Sequence, residues 1–281
     1  MRELFTTDVR VEVAASAEQV RAAVLDLSTW PQVHLRTVHV EYREKHENED
    51  LVEIWTGTGD GLVKSRRIRR RWAPDSARIE FAHETGDGRE DGMRGCWTVE
   101  PRPDGTTLAG MLHEFTVAED AMATTGDLVT SLERGSRDFL GALKHAVENR
   151  AEIVRLTTTV RSSGFVAGPA RTAYDFLARR GSDVGPAIAG GPPGPALARV
   201  LVPPNRIAYK QLRLPETVEA HVGRWTLTEN QGGVLVRADQ VVRFAPDAAE
   251  TREELRKTLT AEQADRLHAV KAHVESLTGS R

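Results

Sequence analysis

Gly95-Cys-Trp-Thr98 and Gly223-Arg-Trp-Thr226 read as one short strand written twice, and each copy holds the same place in a repeating order. Upstream of each stands an N-terminal strand, Thr6-Thr-Asp-Val-Arg-Val11 or Thr157-Thr-Thr-Val-Arg161, followed by a short helix. Downstream come a turn, another strand and a long C-terminal helix. A chain of 281 residues has room for two domains of ordinary size. The repetition therefore predicts one fold used twice, with the domains at 1–150 and 151–281.

Working outward from the first copy, Val9, Val11 and Val13 alternate as in a half-buried strand. Ser16 with Gln19 forms a capping-box start, Val20, Val24 and Leu27 mark a helix face, and Trp30-Pro31 ends that helix. The alternation returns at Val38 to Tyr42, Leu51 to Trp55, Leu62 to Trp72, and Ile79 with Phe81. Turn-forming Gly57 to Gly61, Ala73-Pro-Asp75 and Gly86-Asp-Gly88 separate these runs, as in antiparallel hairpins. Leu128, Leu132, Gly135, Phe139, Leu143 and Val147 then lie near one stripe of a helix. An antiparallel sheet curved around one long amphipathic helix is an α+β arrangement, the helix-grip architecture.

Around Glu148 to Leu156 the pattern lapses, which marks the domain boundary. The second half is shorter before its Trp strand and carries Gly181 to Pro186 and Gly190 to Pro195 where the first half has strands. Pro and Gly cannot supply ladder donors or pack a sheet face, so the second sheet is expected to be truncated. Thr260 with Gln263 restarts a helix whose face is Leu267, Val270, Val274 and Leu277.

Composition excludes several classes. A formal net charge of −3 gives no electrostatic basis for binding nucleic acid or a membrane surface. The single cysteine, Cys96, excludes an intramolecular disulfide and a cysteine-clustered metal site. No apolar run approaches membrane-spanning length and Met1 to Phe5 lacks a signal-peptide core, so a cytoplasmic protein is expected. The histidines have no partners at metal-ligand spacing, and Gly57 to Gly61 lacks the Lys-Ser/Thr and helix of a phosphate loop. No metal or cofactor is expected.

The sharpest local signal is Lys64 to Trp72. Alternate residues of a strand share a face, which groups Leu62, Lys64, Arg66, Ile68, Arg70 and Trp72. Three of these are apolar, so this face is the candidate for the concave side, with Arg70 between Ile68 and Trp72. A guanidinium there could hold a carbonyl and stabilise developing negative charge; a solvated, aggregation-blocking edge strand is the alternative. By the same parity Met111, His113 and Phe115 share a face. His113 and His34 are candidate proton carriers, with a core histidine and a loop histidine as the plainer readings. Trp30, Trp55, Trp72 and Trp97 all fall in the first half, where such rings fill a core or suit a flat conjugated ligand.

Trp30-Pro31, the strand ending in Arg69-Arg70, Gly95-Cys-Trp97 and Gly135-Ser-Arg137 resemble the aromatase/cyclases of bacterial type II polyketide synthases, members of the START-like helix-grip superfamily. Duplication, with Ala208 to Leu212 and His221-Val-Gly-Arg-Trp225, resembles the di-domain subgroup. The resemblance implies a cofactor-free enzyme that closes and aromatises the first ring of a poly-β-ketone, commonly ketoreduced, on an acyl carrier protein beside other synthase components. The family's pocket arginine matches Arg70 and the polar residue on its following strand matches His113, while His34 falls where single-domain relatives often have an aromatic; Arg70, His34 and His113 are the expected catalytic residues. The family's pocket Trp matches Trp97; with Trp30, Trp55, Arg66, Ile68 and Met111, taken from ring density and strand parity, it makes up the expected substrate wall. The family's pocket tyrosine maps to Thr37, which removes a tyrosine-based relay. Its shortened middle makes the second domain a mainly structural one. The competing expectation is a non-catalytic helix-grip protein that binds a hydrophobic or aromatic small molecule.

Overall fold

The computed structural model describes residues 2–58, 61–84, 92–118, 125–179 and 197–278. They divide into two compact units, Met1–Trp55 with Ser65–Ala151 and Thr56–Lys64 with Glu152–Arg281.

In the first unit β1 (Arg2–Val13) leads into α1 (Ala17–Leu25), a 3-10 turn (Leu27–Thr29) and α2 (Trp30–Val33). Six strands follow: β2 (Thr37–Lys45), β3 (Glu49–Gly57), β4 (Val63–Arg71), β5 (Arg78–His83), β6 (Arg94–Pro101) and β7 (Thr107–Ala118). The long helix α3 (Thr125–Glu148) closes the unit. The sheet runs β1-β7-β6-β5-β4-β3-β2, so the meander returns to the N-terminal strand.

Local chemistry accounts for these boundaries. Ser16 accepts from the Gln19 N–H while the Gln19 side chain accepts from the Ser16 N–H, the reciprocal cap expected from the sequence. Trp30-Pro31 does not simply end α1. Pro at a first-turn position costs no hydrogen bond, and Trp30–Val33 forms a helix of its own. The inner face of the sheet and α3 enclose one continuous apolar core that includes Val24, Val52, Ile54, Ile79, Trp97 and Leu143. Each such side chain stabilises the fold by roughly 1.5–3 kcal/mol relative to exposure.

The lapse at the boundary is a helix, α4 (Arg150–Leu156), which runs straight into β8 (Thr157–Val166). The second unit continues with α5 (Ala170–Arg179), β9 (Leu197–Val202), β10 (Arg206–Gln211), β11 (Val218–Asn230), β12 (Gly233–Phe244) and α6 (Ala249–Thr278). Its sheet, β8-β12-β11-β10-β9, has five strands against seven among the described residues. The Gly/Pro-rich stretches at 181–195 and the turn at 86–88 lie outside the described residues. Helix α6 begins well before Thr260, and Leu277 is 54% exposed rather than on the buried face with Val270 and Val274.

The two sheets superpose by register. Trp97 pairs with Ile79 and Met111, and Gly95 with Phe81 and His113. Trp225 pairs with Ile207 and Ala238, and Gly223 with Tyr209 and Gln240. One step further in, Arg70 pairs with Phe81 as Arg199 pairs with Tyr209. Among the described residues, the strands without a counterpart in the second sheet are β2 and β3.

Candidate active site

The inner face of the first sheet carries a chain of rings. His34 meets Phe139 edge-on at 5.5 Å, and Phe139 lies 4.8 Å from Trp30 and 6.2 Å from Trp97. Trp97 touches Phe81 at 4.7 Å, and Phe81 reaches His113 at 5.4 Å and His83 at 6.4 Å. Strand parity builds the wall: β5 sends Ile79, Phe81 and His83 inward, β6 sends Gly95 and Trp97, and β7 sends Met111 and His113. Gly95 is required because a Cβ there would stand 2.6 Å from the Phe81 ring and 2.0 Å from the Leu112 carbonyl oxygen. The Trp97 indole nitrogen is buried at the middle of this wall without a hydrogen-bond partner among the described residues.

His113 is 5% exposed, and its Nδ1 lies 3.2 Å from the Thr7 hydroxyl on β1. Burial, then the charge of Arg66, holds its pKa down at about 4. His83 is also held at about 4 by burial, by Arg66 and by His113 itself. Both imidazoles are therefore neutral at neutral pH. At the other end His34 caps α2, and its Nδ1 lies 2.6 Å from Thr37 Oγ1. A crevice of about 20 Å³ lined by Trp30, His34, Phe139 and Leu143 opens there. That crevice has room for about one water.

Ile68 and Arg70 point inward from β4, and Arg66 shares their side of the strand as an exposed residue near His83 and His113. Trp97, Trp30, Ile68 and Met111 join the same core. Trp55 does not. Val52 and Ile54 occupy the core side of β3, which turns Trp55 to the other face beside His39 (5.3 Å) and under Arg43 (5.7 Å). Two larger hollows, about 420 and 610 Å³, share Arg71, Arg78 and Glu80. Strand parity puts these charged side chains on the outer face, away from the ring wall.

Arg70 lies inward as expected, and its donors meet protein groups there. It is fully buried and donates Nε to Asp50 Oδ1 at 2.8 Å and Nη2 to Asp50 Oδ2 at 2.6 Å. Nη1 donates to the Val24 carbonyl at 3.0 Å and Nη2 to that of Leu25 at 3.2 Å. Four of its five N–H groups are engaged, and they cap the C-terminal end of α1. Its register counterpart Arg199 donates to the Ala178 carbonyl near the end of α5 at 3.2 Å. The same arginine fastens the first helix to the sheet in both units. Asp50 and His83 join the site without a sequence expectation, and Thr7, Phe81 and Phe139 were expected only as parts of strands and a helix stripe; the Ile79-Phe81 alternation, continued by two residues, reaches His83.

The chain is 29% identical over 261 residues to a granaticin polyketide synthase bifunctional cyclase/dehydratase of Streptomyces violaceoruber, covering 84% of this chain and 80% of that one. It is 27% identical to the actinorhodin counterpart of Streptomyces coelicolor, with 88% and 90% covered. The crystal structure of the di-domain ARO/CYC BexL from the BE-7585A pathway matches with a TM-score of 0.77 at 26% identity, over 96% of this chain and 99% of that one. StfQ, the di-domain ARO/CYC of the steffimycin pathway, shares the fold at a TM-score of 0.79 and 23% identity, over 97% and 99%. The pattern of the family described as polyketide cyclase/dehydrase and lipid transport matches residues 5–148. That match runs through the whole seven-stranded sheet and its long helix, and the chain belongs to this family.

Proposed function

We propose that the chain is an aromatase/cyclase of a type II polyketide synthase. It folds a carrier-bound poly-β-ketone against the ring wall of the first domain, closes the first ring by aldol condensation and dehydrates it. The observation that carries this reading is the wall itself: aromatic surface bounded by His34 at one end and by His83, His113 and Arg66 at the other. Its relatives' names, cyclase/dehydratase and ARO/CYC, describe the same pair of steps.

A carbon between two carbonyls loses a proton to His34, and the resulting enolate carbon bonds to a distant carbonyl carbon. The attacked oxygen becomes a hydroxyl, and loss of that hydroxyl with a neighbouring hydrogen releases water and leaves a double bond. A neutral His113 whose Nδ1 accepts from Thr7 carries its proton on Nε2 and polarises the attacked carbonyl. The Trp97 N–H and the Arg66 charge stabilise oxygen as it turns negative. Orientation is the larger contribution, about 7–11 kcal/mol in well-aligned systems. The reaction needs no cofactor, the carrier protein is the partner, and cytoplasm is the setting. Arg70 is a positioning residue: it holds α1, and through it Trp30, against the sheet. Catalysis belongs to residues 1–150, and residues 151–281 are mainly structural.

Reconstitution with a minimal synthase, ketoreductase and carrier protein tests the assignment. His113→Phe is expected to lower the aromatised product by about 10²–10⁴-fold, as removal of a general acid–base group does. An unchanged ring pattern whether or not the protein is added rejects the enzyme reading in favour of a binding protein.

A further inference from the structure

The second unit has a core in two pieces. One apolar cluster includes Tyr209, Trp225, Leu267 and Val270, and the other Val160, Val242, Phe244 and Leu259. Between Leu259 and Leu267, α6 presents Glu262, Gln263 and Arg266. Across from them a polar belt crosses the sheet. Ser162 on β8 bonds Gln263 at 2.9 Å, and His221 on β11 bonds Gln211 of β10 at 2.8 Å and Gln240 of β12 at 3.0 Å. Gln263 and His221 are 0% exposed and Gln240 is 2% exposed.

The belt is not self-sufficient. Gln263 Nε2, Glu262 Oε2 and Arg266 Nη1 are buried without hydrogen-bond partners among the described residues. Reversing the Gln263 amide only exchanges which of its ends is left over. Glu262 and Arg266 stand one helical turn apart and interact electrostatically, yet these two atoms do not bond each other. An unmet buried polar atom is costly, and three on one turn of one helix mark a place where something else supplies the bonds. Register gives the place a precedent inside the same chain. Gln211 and Gln240 stand where His83 and His113 stand in the first sheet.

We propose that this belt is a second binding site, for a small ring or chain bearing an acceptor oxygen beside a hydroxyl, such as a β-hydroxyketone or an enolised 1,3-dicarbonyl. Arg266 Nη1 and Gln263 Nε2 donate to the carbonyl oxygen, and Glu262 Oε2 accepts from the hydroxyl. Glu262 and Arg266 are only partly buried, so the belt reaches the flank of α6. The donor and acceptor set suits this ligand class without reference to the chemistry assigned to the first domain.

The test is calorimetric titration of the full chain with 4-hydroxy-6-methyl-2-pyrone, a ring with an enol hydroxyl and a carbonyl. Trp225, in the apolar cluster and on the same strand as His221, serves as a fluorescence reporter. Gln263→Leu and Arg266→Met are each expected to weaken this binding about tenfold or more, the loss of one hydrogen bond at a charged or buried site. Their melting points should stay near the parent's, because each variant removes an unmet polar atom but also gives up a partner, Ser162 for Gln263 and Glu262 for Arg266. Trp97→Phe, in the first domain, should leave the event in place. No binding, binding abolished only by Trp97→Phe, or binding indifferent to both belt variants overturns the proposal and leaves a water-filled belt. None of these results bears on whether the first domain cyclises polyketides.

Discussion

Arg70 shows how one side chain can satisfy a sequence argument and still do something else. Alternation in β4 puts it inward, and inward it lies, 5.7 Å from the Trp72 ring. What alternation cannot show is the partner, and Asp50 sits twenty positions earlier on a different strand. A buried guanidinium stays charged and must be matched, so a carboxylate and two helix-end carbonyls take most of its donors. Arg70→Ala strands a buried carboxylate, and the expected cost is about 3–5 kcal/mol in urea unfolding. Asp50→Ala should cost a similar amount, and the double variant much less than the sum, since the two changes remove one interaction. An Arg70→Ala protein that unfolds like the parent but makes no aromatised product would return Arg70 to direct catalysis.

At the scale of elements, the glycines explain why the Gly-x-Trp strands are repeated. Gly95 and Gly223 each make room for the ring of the neighbouring strand, Phe81 in one sheet and Tyr209 in the other. At Gly223 an added Cβ would lie 2.1 Å from the Tyr209 ring, and at Gly95 it would also strike the Leu112 carbonyl. Gly95→Ala and Gly223→Ala should each destabilise by about 1–3 kcal/mol through overpacking, read as a lower urea midpoint at unchanged slope. Gly95→Ala should also reduce cyclisation, because it displaces Phe81 from between Trp97 and His113. Full stability in both variants would reduce the motif to a family habit without a packing cause. The strands were legible because period-two alternation survives in Val9-Val11-Val13 and Ile79-Phe81, and the capping box announced α1. Helix extents were less so: α4 has no apolar stripe of its own, and the first turns of α6 are charged. Trp55 was misplaced because β3 is apolar on both faces, Leu51 and Trp55 on one and Val52 and Ile54 on the other, which leaves parity without a phase.

Across the whole molecule, duplication has kept the scaffold and exchanged the chemistry on it. Arginine fastens helix to sheet in both units, and a ring covers glycine in both. The positions of His83 and His113 hold glutamines in the second sheet, with His221 between them. His113 and His221 are buried and His83 is partly so, and loss of solvation holds each near a pKa of about 4. In the unfolded chain they titrate near 6.5. Above that pH they are neutral in both states and contribute nothing to the pH dependence. Below it the unfolded chain takes up protons that the folded one refuses, so stability falls as pH falls, until both states are protonated below about 4. Each histidine can cost up to about 3 kcal/mol across that window. Urea midpoints measured from pH 7 to 4 should therefore decline, and more gently in His83→Gln or His113→Gln, because glutamine has no proton to gain. His221→Gln should flatten the decline further when combined with either, since it lies in the other unit and its contribution adds. A decline of the same slope in parent and variants would mean that carboxylates alone set the acid limit and that these histidines are charged in the native state.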